Sequence, residues 1–193
     1  SALLRPDACL PDLLGREGEL TRLEQWCLRD GDFDARIMTG AAGQGKTRLA
    51  GELSRTLQLQ GWHTRVVAPT EPGIDAILQL PSKPTLLVID YAETRSEQVF
   101  HLLEGLLQHG LQEKLRLLLI ARTASDWWRA LVARDAEIGN LLAEVTLQPI
   151  EPLTASRERV EELYVTAYRQ FSAELQRVVG RVVSAPYKPY SSV

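Results

Sequence analysis

Two kinds of hydrophobic pattern alternate along this chain. Short uninterrupted apolar runs, the strongest at residues 86–89 and 117–120, are typical of strands that are buried on both faces of a sheet. Between such runs, apolar residues recur every three or four positions, as at Leu49, Leu53 and Leu57, and this spacing gives a helix one apolar face. The chain is therefore expected to alternate buried strands with amphipathic helices.

This alternation predicts an α/β fold, with a doubly wound, parallel, five-stranded sheet and helices on both of its faces. The predicted strands are residues 35–39, 64–68, 85–90, 115–122 and 144–147. The predicted helices are residues 15–29, 47–60, 74–80, 96–109, 127–143 and 154–184. Pro149 and Pro152 separate a main domain, residues 1–152 with an extended N-terminal lead-in, from a C-terminal appendage at residues 153–193. The appendage is expected to be the start of a helical lid followed by a flexible tail.

A glycine-rich loop joins the first predicted strand to the helix at residues 47–60. Residues 40–47 have the full G-x-x-x-x-G-K-[ST] sequence of a phosphate-binding loop, in its required strand–loop–helix context. The glycines allow positive φ angles that turn backbone N–H groups toward a phosphate, and the helix dipole adds to the attraction. A glycine-rich turn with a chance lysine is the alternative, and the flanking strand and helix argue against it.

Nucleotide binding is the predicted consequence of this loop. The residues expected to contact the phosphates are Gly40, Ala41, Ala42, Gly43, Gln44, Gly45, Lys46, Thr47 and Arg48. Lys46 can bridge the β- and γ-phosphate oxygens of ATP, and the Thr47 hydroxyl can ligate Mg²⁺. ATP or ADP with Mg²⁺ is therefore the expected ligand set.

Asp90 follows the apolar run at residues 86–89, and together they have the form of a Walker B strand. A carboxylate at the end of a buried strand is costly unless it meets a cation, so Asp90 is predicted to hold Mg²⁺ directly or through water. Glu93 follows three residues later and can polarise the attacking water as a general base. The alternatives are a capping or turn role for Asp90 and a solvated loop position for Glu93.

Arg122 ends the strand predicted at residues 115–122. It can point at the γ-phosphate as a sensor, or it can form a structural ion pair with Glu93 or Asp126. Parallel strands gather ligands at their carboxyl ends, where the loop, Asp90 and Arg122 all fall.

The strand predicted at residues 64–68 lies between the loop and Asp90 in sequence, which favours the additional-strand ATPases over simple kinase and GTPase arrangements.

Composition argues against several other classes of protein. Of the 193 residues, 45% are hydrophobic and 24% are charged, as in ordinary globular proteins. The formal net charge of −3 gives no basic footprint for nucleic acid, which is therefore not an expected partner. No apolar run reaches the length of a membrane span and no leader sequence is visible, so no membrane is expected as a partner and the expected location is the cytoplasm. Cys9 and Cys27 are expected to be buried or free thiols there.

Four segments, taken in order, resemble the nucleotide-binding module of STAND-type NTPases, the signal-transduction group related to NACHT, NB-ARC and AAA+ domains. They are GREGEL at residues 15–20, GAAGQGKTRLA at 40–50, LLVIDYAE at 86–93 and LLLIARTASDWW at 117–128. The resemblance implies that Leu14, Gly15 and Arg16 line the adenine site. It also implies that Glu93 is the catalytic acid and that Arg122 is the sensor-one arginine. No Gly-x-Pro motif follows downstream, and no sensor-two residue or winged-helix histidine is assigned.

The resemblance further implies an ATP/ADP switch whose exchange or hydrolysis controls self-association and linked effector and sensor domains. Lys46, Asp90, Glu93 and Arg122 are then the catalytic residues, with Thr47 and Asp90 as the metal ligands. Two alternatives are a non-catalytic scaffold that holds ADP and an AAA+-type ring ATPase with Arg129 or Arg134 as its arginine finger. A small-molecule kinase is a further alternative, for which no acceptor site is visible.

Overall fold

The fold is seen in a computed structural model that describes residues 15–110 and 113–152, together with residues 165, 168 and 169. The helices are α1 (Glu17–Leu28), α2 (Lys46–Leu59), α3 (Gly73–Leu78), α4 (Ser96–His109), α5 (Asp126–Arg134) and α6 (Ala136–Leu141). The strands are β1 (Phe33–Thr39), β2 (His63–Val66), β3 (Thr85–Ile89), β4 (Leu115–Ile120) and β5 (Thr146–Pro149). A 3₁₀ turn, Ala92–Thr94, lies between β3 and α4.

The five strands form one parallel sheet in the order β2-β3-β4-β1-β5, as the alternating pattern predicts. β4 lies at the centre, and its Leu119 pairs with Ile37 of β1 on one side and with Ile89 of β3 on the other. The strand before the glycine-rich loop and the strand before Asp90 are therefore not neighbours. This confirms the additional-strand arrangement, although the strand between them in the sheet is β4 rather than β2.

Alternate residues of the central strands face two separate cores, which confirms the doubly wound architecture. The core under α1 and α2 contains Leu23, Trp26, Cys27, Met38, Leu49, Leu53, Leu57, Leu86, Val88, Leu118 and Ile120. The core under α3, α4, α5 and α6 contains Ile37, Ile77, Leu87, Ile89, Val99, Leu102, Leu117, Leu119, Leu131 and Ile138. Because both faces of the sheet are covered, β3 and β4 have no solvent-facing side, and this explains their apolar runs at residues 86–89 and 117–120.

The prediction of a single helix at residues 127–143 is wrong, because the structure contains two helices there. α5 and α6 are separated at Asp135, whose backbone is extended at φ −145° and ψ 134°. The Asp135 carboxylate accepts hydrogen bonds from the N–H groups of Glu137 at 2.9 Å and Ile138 at 3.0 Å. This side chain therefore caps a new helix, and such local bonding competes with continuation of the previous one.

The last strand also differs from its predicted position. β5 begins at Thr146 rather than at residue 144, because the Val145 N–H still bonds the Leu142 carbonyl in the turn after α6.

The lead-in at residues 1–14, which includes Cys9, lies outside the described residues, as does most of the predicted appendage after residue 152. Within the described ranges, no helix combines the length and apolar character that crossing a membrane requires. Cys27 is a buried free thiol, as expected, and burial raises its pKa to about 12.

Arg116 is a buried charge in β4 that ties the end of α1 to the sheet. Its side chain is fully buried, and its guanidinium donates to the carbonyl oxygens of Arg29 at 2.6 Å and Gly31 at 3.2 Å. Carbonyl groups at a helix C-terminus carry partial negative charge, so a cation there is favourable. Burial lowers the pKa of Arg116, and the nearby Asp34 opposes that effect.

Replacing Arg116 with methionine is expected to lower the free energy of unfolding by about 2 kcal/mol, because charge-assisted hydrogen bonds are lost while desolvation of the charge is relieved. Urea denaturation of both proteins measures the difference. Arg22→Met, on the exposed side of α1, is the matched control and should change the free energy by less than about 0.5 kcal/mol. An equally small change for Arg116→Met would show that relief of the desolvation of the charge offsets the lost hydrogen bonds.

Candidate functional site

The loop between β1 and α2 needs its glycines. Gly43 and Gly45 have φ angles of 80° and 81°, in the left-handed region that favours glycine, and Gly45 immediately precedes α2. A Cβ at Gly40 would collide with the Gln44 side chain and lie 2.7 Å from the Ile150 carbonyl oxygen. The loop therefore wraps closely around the start of α2, where the first N–H groups of a helix have no intrahelical partner and can bind an anion.

Lys46, the first residue of α2, folds its ammonium group back over this loop. Its Nζ donates to the carbonyl oxygens of Gly40 at 2.6 Å and Ala41 at 2.9 Å. Burial lowers the pKa of Lys46, and the negative charges of Asp90 and Glu93 oppose that effect. A phosphate in the loop would give this ammonium an anionic partner and so offset its desolvation.

Asp90, directly after β3, meets Thr47 of α2. The Thr47 hydroxyl donates to Asp90 Oδ2 at 2.9 Å, and the Tyr91 N–H donates to Oδ1 at 2.9 Å. Asp90 is only 8% exposed, so the carboxylate is held inside the cleft. A carboxylate beside a hydroxyl provides the oxygen donors that Mg²⁺ prefers, and these two residues therefore fit the metal predicted from the sequence. Asp90 also stabilises the turn, so the two roles considered for it are compatible.

Glu93 lies in the 3₁₀ turn and reaches the end of β4. Its Oε1 accepts the backbone N–H of Arg122 at 3.2 Å. Its Oε2 is buried and has no hydrogen-bond partner within the described residues. A buried carboxylate oxygen without a partner is uncommon, and in a cleft it is typical of a group that contacts a ligand or water. The solvated loop position considered for Glu93 is therefore not observed, and its general-base role remains a prediction.

Arg122 contacts the site through its backbone and extends its side chain into solvent. Its carbonyl oxygen accepts the Gly40 N–H at 3.2 Å, which joins the end of β4 to the start of the loop. Its guanidinium is exposed and forms no ion pair within the described part of the chain, so neither pairing with Glu93 nor pairing with Asp126 is present. The sensor role of Arg122 remains a prediction.

Arg16 lies behind the loop rather than in the cleft. It is 4% exposed, and its guanidinium donates to the carbonyl oxygens of Gln44 at 3.3 Å and Glu151 at 2.7 Å. It also pairs with Glu19 at 2.9 Å. Arg16 therefore links the start of α1, the loop and the segment after β5. Leu14, predicted with Gly15 and Arg16 at the adenine site, lies outside the described residues.

A cavity of about 270 Å³ brings most of the predicted site residues together at the carboxyl ends of the strands. It is lined by Ala42, Gly43, Gln44, Gly45, Lys46, Thr47, Arg48, Asp90, Tyr91, Glu93, Ile120, Ala121 and Arg122. Gly15 and Arg16 are not part of this lining. The cleft combines three cationic side chains, a helix N-terminus and two carboxylates, which together can hold a phosphate chain with a divalent cation.

The two arginines considered as arginine fingers both lie on α5. Arg134 is engaged on the surface of its own domain, because it pairs with Glu97 at 2.7 Å and lies 3.8 Å from the centre of the Phe100 ring. Arg129 is exposed. An arginine finger must be able to reach a neighbouring molecule, so Arg129 is better placed for that role than Arg134.

Two residues at this site were missed by the sequence analysis. Tyr91 has a left-handed backbone, with φ 57° and ψ 42°. Arg95 donates to the carbonyl oxygens of Asp90 at 3.1 Å and Val67 at 2.8 Å, and so joins the ends of β3 and β2. Tyrosine does not signal positive φ in a sequence, and an arginine just before a helix looks like a solvated residue. Neither position therefore carries a pattern that would have revealed it.

The chain matches no protein-family model and no curated protein. A crystal structure of a DNA replication initiation factor is similar, with a TM-score of 0.52 and 15% identity over 86% of this chain, which spans 55% of that protein. The crystal structure of DnaI is similar over 78% of this chain and 90% of that chain, with a TM-score of 0.48 and 15% identity. Likeness at this identity concerns the fold alone. The first match, the strand order and the loop together give this chain the α/β fold of P-loop NTPases.

Proposed function

We propose that this chain binds ATP and ADP together with Mg²⁺ and hydrolyses ATP. The observation that carries the proposal is the 2.9 Å hydrogen bond from Thr47 to Asp90, two residues 43 positions apart that come from different elements. This pair lies beside a buried lysine and a helix N-terminus, and a metal-bound phosphate chain satisfies all of these groups together.

In this proposal, different residues of the cleft bind the phosphates, hold the cation and accept the proton of the attacking water. Backbone N–H groups of the loop and the Lys46 ammonium bind the phosphates, while Thr47 and Asp90 hold the cation, which supplies positive charge to the phosphate oxygens when bound. The buried Oε2 of Glu93 accepts a hydrogen bond from the attacking water and takes its proton. Arg122, on the rim of the cleft, contacts the γ-phosphate.

The adenine end of the ligand lies on the α1 side of the loop in this proposal. Gly15 and Leu14 contact the base, as the resemblance to STAND-type NTPases implies. Arg16 holds the loop in position from the side away from the cleft. The bonds from Arg16 to the Gln44 and Glu151 carbonyl groups support this arrangement, because they fix the loop against the segment that follows β5. Arg16 therefore supports the base site without having to touch the base.

At a finer level, we propose that the chain is a switch module of STAND type. Its nucleotide state would control self-association and linked effector and sensor domains in the cytoplasm. The ordered set of four sequence segments supports this assignment, and so does the spacing of Glu93 three residues after Asp90. The contacts of Arg16 connect the loop to residue 151, two positions before the predicted appendage.

An AAA+-type ring ATPase is the second candidate function. It is favoured by the similarity in fold to a DNA replication initiation factor, and by the exposed Arg129 on α5. The net charge of −3 argues against nucleic acid as its substrate. Sedimentation of the chain in ADP and in a non-hydrolysable ATP analogue separates the two candidates, since a closed ring with the analogue favours the AAA+ reading.

Nucleotide-free protein titrated with ATP in a calorimeter is expected to bind one nucleotide per chain, and more tightly with Mg²⁺ than with EDTA. The reason is that Asp90 and Thr47 contribute to the complex only through the cation. Phosphate release measured on the same sample should show slow turnover. Lys83→Ala, which removes an exposed lysine at the opposite end of β3, should leave both results unchanged.

The outcomes of this titration are distinguishable. Absence of binding by folded, nucleotide-free protein would overturn the proposal as a whole. Stoichiometric ADP released on heat denaturation, together with no phosphate release, would retain binding and favour the non-catalytic scaffold.

A further inference from the structure

One peptide group of the phosphate-binding loop, the one that joins Gln44 to Gly45, has freedom to turn over. Reversing it changes ψ of Gln44 and φ of Gly45, which is 81°. Glycine populates negative φ about as readily as positive φ, so a rotation of about half a turn meets no steric barrier from a side chain at Gly45. A contact from outside the loop can therefore select one of the two orientations.

The orientation of this peptide group decides which of its atoms faces the cleft. The carbonyl oxygen and the N–H of a planar trans peptide point in opposite directions. Gly45 lines the cleft and immediately precedes α2. When the Gln44 carbonyl group lies on the far side of the loop, the Gly45 N–H faces the cleft and can donate to a phosphate. The reversed peptide would present a carbonyl oxygen, whose partial negative charge repels phosphate.

Arg16 holds the Gln44 carbonyl group from outside the cleft. Its Nη2 donates to the Gln44 carbonyl oxygen at 3.3 Å, and Arg16 is not part of the cleft lining to which Gln44 and Gly45 belong. Arg16 is only 4% exposed, so the contact is sheltered from water, and the charge of the guanidinium strengthens it. The carbonyl oxygen is thereby kept on the side away from the cleft.

The guanidinium of Arg16 is itself anchored to parts of the chain outside the loop. Nη2 also donates to the Glu151 carbonyl oxygen at 2.7 Å, and Nη1 pairs with Glu19 of α1 at 2.9 Å. Glu151 follows Ile150, whose N–H donates to the carbonyl oxygen of Thr39, at the end of β1, at 2.7 Å. The start of α1 and the segment after β5 therefore fix the guanidinium, and the loop receives its orientation from them.

We propose that Arg16 is a positioning residue for phosphate binding, which keeps the Gly45 N–H directed into the cleft by holding the Gln44 carbonyl group behind the loop. The inference rests on the proposed function, because the phosphate chain is that of the nucleotide. It adds a role that the resemblance does not imply, since the resemblance assigns Arg16 to the adenine site. A ligand that has phosphates but no base distinguishes the two roles.

Inorganic tripolyphosphate is such a ligand. Nucleotide-free protein, unmodified and with Arg16→Met, is titrated in a calorimeter with tripolyphosphate and with ATP, each in the presence of Mg²⁺. Arg16→Met should lower the affinity for tripolyphosphate about tenfold and the affinity for ATP by at least the same factor, because the charged donor that holds the Gln44 carbonyl group is lost. Arg16→Lys retains the charge and should show a smaller loss for both ligands, and it replaces the methionine protein if that protein does not fold.

Arg116→Met is the matched control. Arg116 is also a buried arginine that donates to backbone carbonyl oxygens, but it lies at the start of β4, at the end of the sheet opposite the cleft. This variant should lose stability and keep both affinities within about twofold of the unmodified chain. The comparison separates an effect on the loop from a general loss of stability.

Nuclear magnetic resonance gives a direct measurement of the peptide group. In the unmodified chain the amide proton resonance of Gly45 should move downfield when the site is saturated with tripolyphosphate or with ATP, because the N–H then donates to an anion. The shift should be much smaller in the Arg16→Met protein saturated with the same ligand. A shift of equal size in both proteins would show that the Gly45 N–H faces the phosphate without Arg16.

The calorimetric outcomes that would overturn the inference are distinct. A loss for ATP without a loss for tripolyphosphate would assign Arg16 to the base, and no loss for either ligand would show that the loop orients itself. An equal loss in the Arg116→Met protein would reduce the effect to general stability. An unmodified chain that binds ATP but not tripolyphosphate would show that the loop contributes too little for this role. Each of these leaves nucleotide binding intact, whereas an unmodified chain that binds neither ligand overturns the proposed function first, and this inference with it.

Discussion

Lys46→Ala is expected to lower the affinity of the chain for ATP by about 100-fold, the size of effect that follows from loss of charge-assisted hydrogen bonds to phosphate in a partly dry site. The Lys46 ammonium is nearly buried, and it lies 2.6 Å from the Gly40 carbonyl oxygen in a loop whose remaining phosphate donors are backbone N–H groups. Among the residues that the structure describes, no other lysine lines the cleft. Calorimetric titration with Mg·ATP measures the change.

Two controls make this result specific to the site. Lys83→Ala removes the same charge at an exposed position just before β3, at the end of that strand opposite the cleft, and should leave the affinity unchanged. Urea denaturation of the Lys46→Ala protein should show a small loss of stability, because Ala41 is an exposed residue and water can replace the ammonium there. An affinity within about threefold of the unmodified chain would mean that the loop N–H groups bind phosphate without the lysine.

The sheet and the contents of the cleft could be predicted from the sequence for one physical reason. A parallel strand covered on both faces is apolar at nearly every position, so β3 and β4 are recognisable in the sequence by the apolar runs at residues 86–89 and 117–120. The carboxyl ends of parallel strands share one edge of a sheet, so Asp90, Arg122 and the loop had to converge. Convergence of this kind follows from topology and needs no knowledge of side-chain contacts.

Features set by single side chains were not readable in the same way. The break at Asp135 depends on whether its carboxylate caps a new helix or faces solvent, and hydrophobic spacing does not distinguish these. The position of Arg16 behind the loop depends on which carbonyl groups lie within reach of a long side chain. The left-handed Tyr91 is the clearest case, since its conformation contradicts its own residue type.

For Glu93, the sequence suggests the role and the structure shows the contact that holds its carboxylate. Oε1 is already occupied by the Arg122 N–H, so only Oε2 is free to contact a water molecule. A glutamine fits the same space. Its amide oxygen can accept the Arg122 N–H in place of Oε1, and its NH₂ group then occupies the position of Oε2, where it cannot accept a proton.

Glu93→Gln is therefore expected to retain ATP affinity within about threefold and to lower the rate of phosphate release by about 100-fold or more, the usual contribution of a general base. Binding is measured by calorimetry and turnover by phosphate release under saturating Mg·ATP. Glu97→Gln removes an exposed carboxylate from the first turn of α4 and should leave both values unchanged. Equal turnover by the Glu93→Gln protein would remove this residue from the mechanism, while parallel losses of binding and turnover would make it a ligand contact instead of a base.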